Sequence, residues 1–428
     1  MMQCKRYEKL GETLYTGELP NGLRINVLKK PDFRLKFAIF ATDYGGAHMR
    51  FFSDGEWHDT PAGVAHFLEH KMFDLPDGEN AMTIFSENGA QSNAFTSSGM
   101  TAYHFDCTEG FEDNLRNLLH FVSTPYFTKE SVDKEQGIIG QEIGLVNDSV
   151  GSQVYHRLMN LLYEYSPIRE QVIGSVESIA GITAETLYQC HKAFYAPSNM
   201  VLCVAGDVDP ERVFDIAAEM LPAERAEKPE ADLGAPESAL PAERFAELSM
   251  EVSAPQFCIG AKVRPAEKGV SRLRQKIVSQ LALRTLFGTS GDFYNRLYTE
   301  GVLNPDYDYE NYYTAGTATV MLSGESNDPQ RVLREVAAAV EGVKEHGLDK
   351  RLFDIAKKAS FGARLRGLED FDASCVSLTE GLFDGYCSLD GLAVLESVEI
   401  KECEDFLTEY LAEERLAMCV VYPPERKD

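Results

Sequence analysis

Near the middle of the chain, "LPAERAEKPEADLGAPESALP", from Leu221 to Pro241, is rich in Pro, Ala and Glu and has no apolar period. Such a stretch presents neither a helix face nor a strand face, so it reads as a linker. The chain has 428 residues, too many for one ordinary core. The linker therefore predicts two domains, over 1–220 and 246–428, joined by 221–245. Flanks of similar length also raise the prospect of an internal duplication.

The two flanks repeat one theme. In the first, "GLRINVLKK" and "KFAIFATDYGG" read as strands ending at turn residues. "TPAGVAHFLEHKMF" reads as a helix, with Thr60 as its N-cap and Pro61 at its first helical position. "QSNAFTSSGMTAYHFDC" alternates and reads as a strand or hairpin. Two helices, "FEDNLRNLLHFVS" and "KESVDKEQGIIGQEIGLVND", follow, and a later helix and the strand "NMVLCVAGDV" close the half. In the second flank "QFCIGAKV" and "TATVMLSGES" read as strands. "SRLRQKIVSQLALRTLFG", "PQRVLREVAAAVEGVKEHG" and "DKRLFDIAKKASFGARLRG" read as helices. Laying "SVDKEQGIIGQEIG" on "LFDIAKKASFGARL" sets Glu135 opposite Ala356 and Glu142 opposite Ala363. The apolar pattern survives and the carboxylates do not, so a duplicate half would carry no metal site of its own.

Those carboxylates matter because of "GVAHFLEHKMF", Gly63 to Phe73. His66 and His70 lie one helical turn apart on one face and can converge on one ion. Two neutral imidazoles and one carboxylate, with one position open to water, make a catalytic type of zinc site. Glu69 lies beside the same face, where it could take a proton from a water activated by the metal without itself ligating. The plainer reading is a helix that packs a histidine pair against a core with Glu69 in solvent. A third ligand must come from another element. Glu135 and Glu142 are seven apart, two turns and about 10 Å along a helix, so one should ligate and the other should orient a histidine. Gly137, Gly140 and Gly144 form a stripe on the same helix, which predicts close approach of another element.

Composition removes other classes. A net charge of −27 disfavours nucleic acid, which needs clustered Lys and Arg. No run of eighteen apolar residues predicts a membrane span. Nine cysteines, an odd number without C-x-x-C pairs, suit free thiols in a reducing compartment, and the first residues show no secretory h-region. The expected location is cytoplasmic.

With these residues in place, the chain resembles the pitrilysin/insulinase family of zinc metallopeptidases, whose inverted H-x-x-E-H motif is followed by a distal glutamate. It resembles the single-chain, half-clamshell members of the kind seen in bacterial proteins similar to mitochondrial processing peptidase. "HFLEH" resembles the family's zinc helix and "KEQGIIGQEIG" its glutamate helix. The resemblance implies one Zn2+ per chain, held by His66, His70 and Glu142, with Glu69 as general base and Glu135 orienting a ligand. "GAQSNAFTSSGMTAYHF" is similar to the family's substrate strand, which implies peptide binding along Ser92, Asn93, Ala94 and Phe95 by strand addition. Taken alone, that stretch reads equally well as a Ser/Thr-rich hairpin of no special role. The implied fold is α+β: two similar domains, each a mainly antiparallel sheet with helices packed on one face, together forming half of a clamshell.

The implied activity is a zinc endopeptidase that cuts peptides or small unfolded proteins inside a closed dimeric chamber. One departure qualifies it. The family's second half supplies an Arg and, seven residues on, a Tyr that hold the substrate carbonyl; here Tyr298 and Pro305 stand at those positions. Arg296, Tyr307 and Tyr309 are near but out of register. Since a hydrolase needs a donor aimed at its oxyanion, the expectation is a heterodimer in which a paralogous subunit brings the Arg/Tyr pair, with a homodimer as the other arrangement. The competing reading is a non-catalytic, zinc-binding scaffold or assembly subunit of the same family.

Overall fold

The computed structural model describes residues 2–76 and 78–424. Its strands, in chain order, are β1 (Gln3–Tyr7), β2 (Glu12–Glu18), β3 (Arg24–Lys29), β4 (Lys36–Thr42), β5 (Arg50–Ser53), β6 (Glu56–Asp59), β7 (Ala90–Thr96) and β8 (Thr101–Cys107). There follow β9 (Met200–Gly206), β10 (Glu230–Ala231), β11 (Phe245–Ser249), β12 (Gln256–Val263), β13 (Asp308–Thr314), β14 (Thr317–Glu325) and β15 (Ala417–Tyr422). They form a seven-stranded sheet β1-β2-β3-β9-β4-β8-β7, a small sheet β10-β5-β6, and a five-stranded sheet β11-β15-β12-β14-β13.

The duplication expected from the flanks is legible in this topology. Five strands of the larger sheet, β3-β9-β4-β8-β7, match the order β11-β15-β12-β14-β13. Each series opens with its one parallel pair, β3 with β9 and β11 with β15, and is antiparallel thereafter. Each ends on a hairpin whose first strand in the sequence, β7 or β13, is the sheet's edge.

The chain divides into two compact units; one crossing between them, 233/234, falls inside the expected linker, but neither unit is continuous in sequence. One comprises residues 1–143, 170–233 and 365–389; the other comprises 144–169, 234–364 and 390–428. This differs from the continuous domains 1–220 and 246–428 expected from composition. The helix Val150–Leu162 belongs to the second unit, and the helix Phe371–Asp384 belongs to the first. Periodicity within a helix says which face is apolar and not which sheet that face will cover, so the exchange is invisible in sequence.

The exchange explains the burial of the central strands. Phe37, Ile39 and Ala41 of β4 pack with Phe371, Cys375 and Leu378 in one cluster. The alternate residues Ala38 and Phe40 are also fully buried, beneath the layer on the other face. The larger sheet thus carries helices on one face, as expected, and the exchanged helix on the other. Burial on both faces is why β4 and β9 read as unbroken apolar runs. In the second unit Leu158 and Leu162 pack with Cys258, Cys419 and Val421. Gly260 makes room for that helix: a Cβ there would lie 2.8 Å from Leu158 Cδ2.

The linker is more structured than its composition suggests. β10 pairs with β5, and Arg50 faces Asp232. Glu237 accepts hydrogen bonds from the backbone N–H groups of Glu164, Tyr165 and Ser166, and from the buried Lys262. All nine cysteines are free, and no described helix is long and apolar enough to cross a membrane. Leu158→Ala should lower the unfolding free energy by about 2–5 kcal/mol in denaturant titrations followed by circular dichroism, because the side chain is fully buried.

Candidate metal centre

The metal centre expected from "HFLEH" is built from two helices and one edge strand, and its residues all lie in the first unit. The histidine helix spans Val64–Lys71 and buries Val64, Ala65, Phe67 and Leu68. Its start differs from expectation. Gly63, not Thr60, is the N-cap, with φ +98° and no side-chain cap bond. The Thr60 hydroxyl instead donates to the Met49 carbonyl at 3.0 Å. A Cβ on Gly63 would sit 2.7 Å from the Ile173 carbonyl oxygen, so both backbone sign and space demand glycine there.

The glutamate helix spans Lys129–Asp148, as periodicity predicts. It buries Val132, Ile139 and Ile143, and the spacing 132, 135, 139, 142 sets Glu135 and Glu142 on that same docked side. Glu142 Oε1 lies 3.6 Å from His66 Nε2, and its Oε2 lies 3.6 Å from His70 Nε2. The two imidazole centroids are 4.6 Å apart. One donor atom from each of His66, His70 and Glu142 falls within 4.8 Å of the others, the only such group among the described residues.

These spacings fit a tetrahedral ion. Metal–ligand bonds of about 2.0–2.2 Å put neighbouring ligand atoms about 3.4 Å apart, close to the observed gap and longer than a hydrogen bond. The donor set, two imidazoles and one carboxylate, is that of an open catalytic zinc site. Glu135, two turns earlier, does not reach that point. Its Oε1 lies 3.1 Å from His70 Nδ1, on the far side of the ring.

Glu69 is buried beside the histidines and accepts a hydrogen bond from Thr96 Oγ1 at 2.5 Å. Burial pushes its carboxyl above the ordinary carboxylate range, against the Thr96 bond and the neighbouring imidazoles. Burial alone would push the His70 imidazole down. The hydrogen bond to Glu135 and the nearby Glu69 and Glu142 outweigh that, so its pKa is raised. Glu135 is itself held low, because His70 and Lys71 outweigh its burial, and the facing His66 holds Glu142 low. The surroundings thus push one carboxyl group of the site up and hold two down.

β7 supplies the third wall. It is the edge strand of its sheet, paired only with β8. Strand alternation sets Ser92, Ala94 and Thr96 on the side that reaches Glu69, and Asn93 and Phe95 on the other. Phe95 packs on the apolar cluster that includes Phe371, which makes it a packing residue rather than a freely presented one. Asn93 is exposed, and its Oδ1 accepts from the Ala94 N–H at 2.9 Å.

One expectation fails on this surface. Nothing approaches within 4 Å of a Cβ placed on Gly137, Gly140 or Gly144. The stripe faces open space, so close helix packing within the chain does not account for it. Two residues of the site were not singled out from sequence. Thr96 lies two positions beyond Ala94 on the same strand face, a period-2 signal that was there to read. Lys71 is 2% exposed although it carries a charge, and its place four residues after the buried Phe67 was the available clue.

Comparisons with known proteins agree with this geometry. Residues 51–175 match the family model described as Insulinase (Peptidase family M16), and residues 181–360 match the one described as Peptidase M16 inactive domain. The chain is 33% identical to the uncharacterized zinc protease YmfH of Bacillus subtilis, over 99% of this chain and 100% of that protein. The crystal structure of an M16-like peptidase from Alicyclobacillus acidocaldarius is similar with a TM-score of 0.92 at 29% identity, over 96% of this chain and 98% of that one. Pitrilysin shares the fold, with a TM-score of 0.80 at 14% identity, over 100% of this chain and 47% of that one. With relatives named as zinc proteases and a His-His-Glu group in the matching segment, the chain belongs to the insulinase family of peptidases, family M16.

Proposed function

We propose that the protein is a zinc-dependent endopeptidase for peptides or small unfolded proteins, acting as the zinc-bearing subunit of a heterodimer that encloses its substrate. The observation that carries this reading is the triangle of His66, His70 and Glu142 with the buried Glu69 at its side. A scaffold subunit has no use for a base beside a metal position.

In this reading His66, His70 and Glu142 hold one Zn2+ per chain. When bound, zinc supplies Lewis acidity, which brings the pKa of water to about 7 and polarises a peptide carbonyl. Glu69 takes the proton from the attacking water and delivers it to the leaving amine; its raised pKa suits both directions of transfer. Thr96 holds one oxygen of Glu69 and leaves the other free to face the reacting atoms. The open edge of β7 offers unpaired backbone groups to an extended peptide, with Ser92 and Ala94 toward the metal side and Asn93 toward solvent.

The oxyanion donor is proposed to come from a paralogous partner. Arg296 is committed to Glu335 by bonds of 3.0 and 2.7 Å, and Tyr307 is buried. Tyr298, at the position where the family places its Arg, is exposed and stacked on Tyr294. This same feature is what favours the second reading, a zinc-binding scaffold subunit without activity. The free thiols support a cytoplasmic location.

Glu69→Gln should retain near-stoichiometric zinc by elemental analysis and lose cleavage of a quenched fluorescent peptide by at least about a thousandfold. Undiminished cleavage would discard Glu69 as the base. The purified chain alone should cleave the same peptide poorly and gain activity on mixing with a paralogue that carries the Arg/Tyr pair. Robust turnover by a homodimer would remove the heterodimer, and inactivity in both states would favour the scaffold.

A further inference from the structure

We infer that Lys71 is a positioning residue of the metal centre: its buried ammonium pins one oxygen of Glu135, and through Glu135 it fixes the orientation and tautomer of His70. The inference rests on the reading of His66, His70 and Glu142 as zinc ligands.

Lys71 closes the histidine helix, and its side chain is 2% exposed. Ammonium groups are strongly hydrated and reach water readily on a four-carbon stem, so a lysine sealed inside needs compensating anions. Two are present. Asp74 forms a close ion pair with Nζ from the next turn of chain. Glu135 Oε2 lies 3.7 Å from the same Nζ. The Asp74 side chain is 42% exposed and would serve a lysine equally well in solvent. Glu135, whose side chain is 13% exposed, is the more buried of the two anions.

Glu135 is thereby held at both ends. Oε1 meets His70 Nδ1 at 3.1 Å and Oε2 meets the ammonium. A carboxylate hydrogen-bonded through one oxygen only can swing about its terminal torsion; an ammonium 3.7 Å from the other oxygen adds a charge attraction that favours this one orientation. Because the carboxylate only accepts, Nδ1 of His70 must carry the proton, which leaves the Nε2 lone pair directed at the position shared with Glu142. The other histidine has no such support. His66 Nδ1 is buried without a hydrogen-bond partner. Orientation of the ligand imidazoles by an outer hydrogen bond therefore rests on the Glu135 arm, and Lys71 is its anchor.

The test is a double-mutant cycle on zinc affinity of the full-length chain, read by competition with a chromophoric chelator. Wild type, Lys71→Met, Glu135→Gln and the double variant are compared, with circular dichroism confirming the fold of each. Lys71→Met is expected to weaken zinc binding about tenfold or more, in the range found for groups that orient ligands. In the Glu135→Gln background the same change should alter the constant by less than about threefold, since Lys71 acts through Glu135. Wild-type affinity in Lys71→Met, or the same loss in both backgrounds, would overturn the inference and leave the zinc site intact. Failure of the wild-type chain to bind zinc would overturn the site reading itself. If Lys71→Met does not fold, Lys71→Gln is read in the same way. Loss of fold in both assigns Lys71 to folding and not to positioning.

Discussion

The docking of the glutamate helix onto the histidine helix is the constraint on which the site depends. One helix offers two imidazoles a turn apart; the other offers two carboxylates two turns apart. Val132, Ile139 and Ile143 seat the second helix, and this seating decides that Glu142 meets both Nε2 atoms while Glu135 meets the back of His70. A rotation of that helix by one residue, about 100°, would turn both carboxylates away. The apolar contacts thus supply the precision, and the polar groups supply the chemistry.

Burial is the second determinant. Glu69, Glu135 and Lys71 are all withdrawn from water, which costs free energy unless each finds a partner. Thr96, His70 and Asp74 are those partners. The distribution is unequal. Glu69 has a single neutral donor and a raised pKa, whereas Glu135 has two cationic or hydrogen-bonding neighbours and a lowered one. The surroundings alone thus move two carboxyl groups of one site in opposite directions.

The duplicated half shows what happens without this arrangement. The sheet order and the parallel opening pair are preserved, yet Ala356 and Ala363 replace the two glutamates and no second group of metal-ligating residues occurs among the described residues. The exchanged helices, Val150–Leu162 and Phe371–Asp384, give each sheet its second covering layer from residues contributed by the other half of the sequence.

Much of this was legible beforehand. The histidine spacing, the two glutamates, the glutamate helix to its terminal residues and the β7–β8 hairpin all follow from local periodicity, which is written in consecutive residues. Residues far apart in sequence were harder. Composition places a domain border in the linker, and one crossing falls there at 233/234; the crossings inside the helices Lys129–Asp148 and Lys350–Gly367 leave no mark in composition. The glycine stripe suggested an internal contact and faces open space. For Thr96 and Lys71 no local signal says what they touch, because that depends on what lies opposite them. By itself the sequence determined which residue types share a face, since 3.6 and 2.0 are properties of the local backbone. Only the tertiary structure decided which faces meet, because that choice is made by the summed packing of both units and not by any one segment.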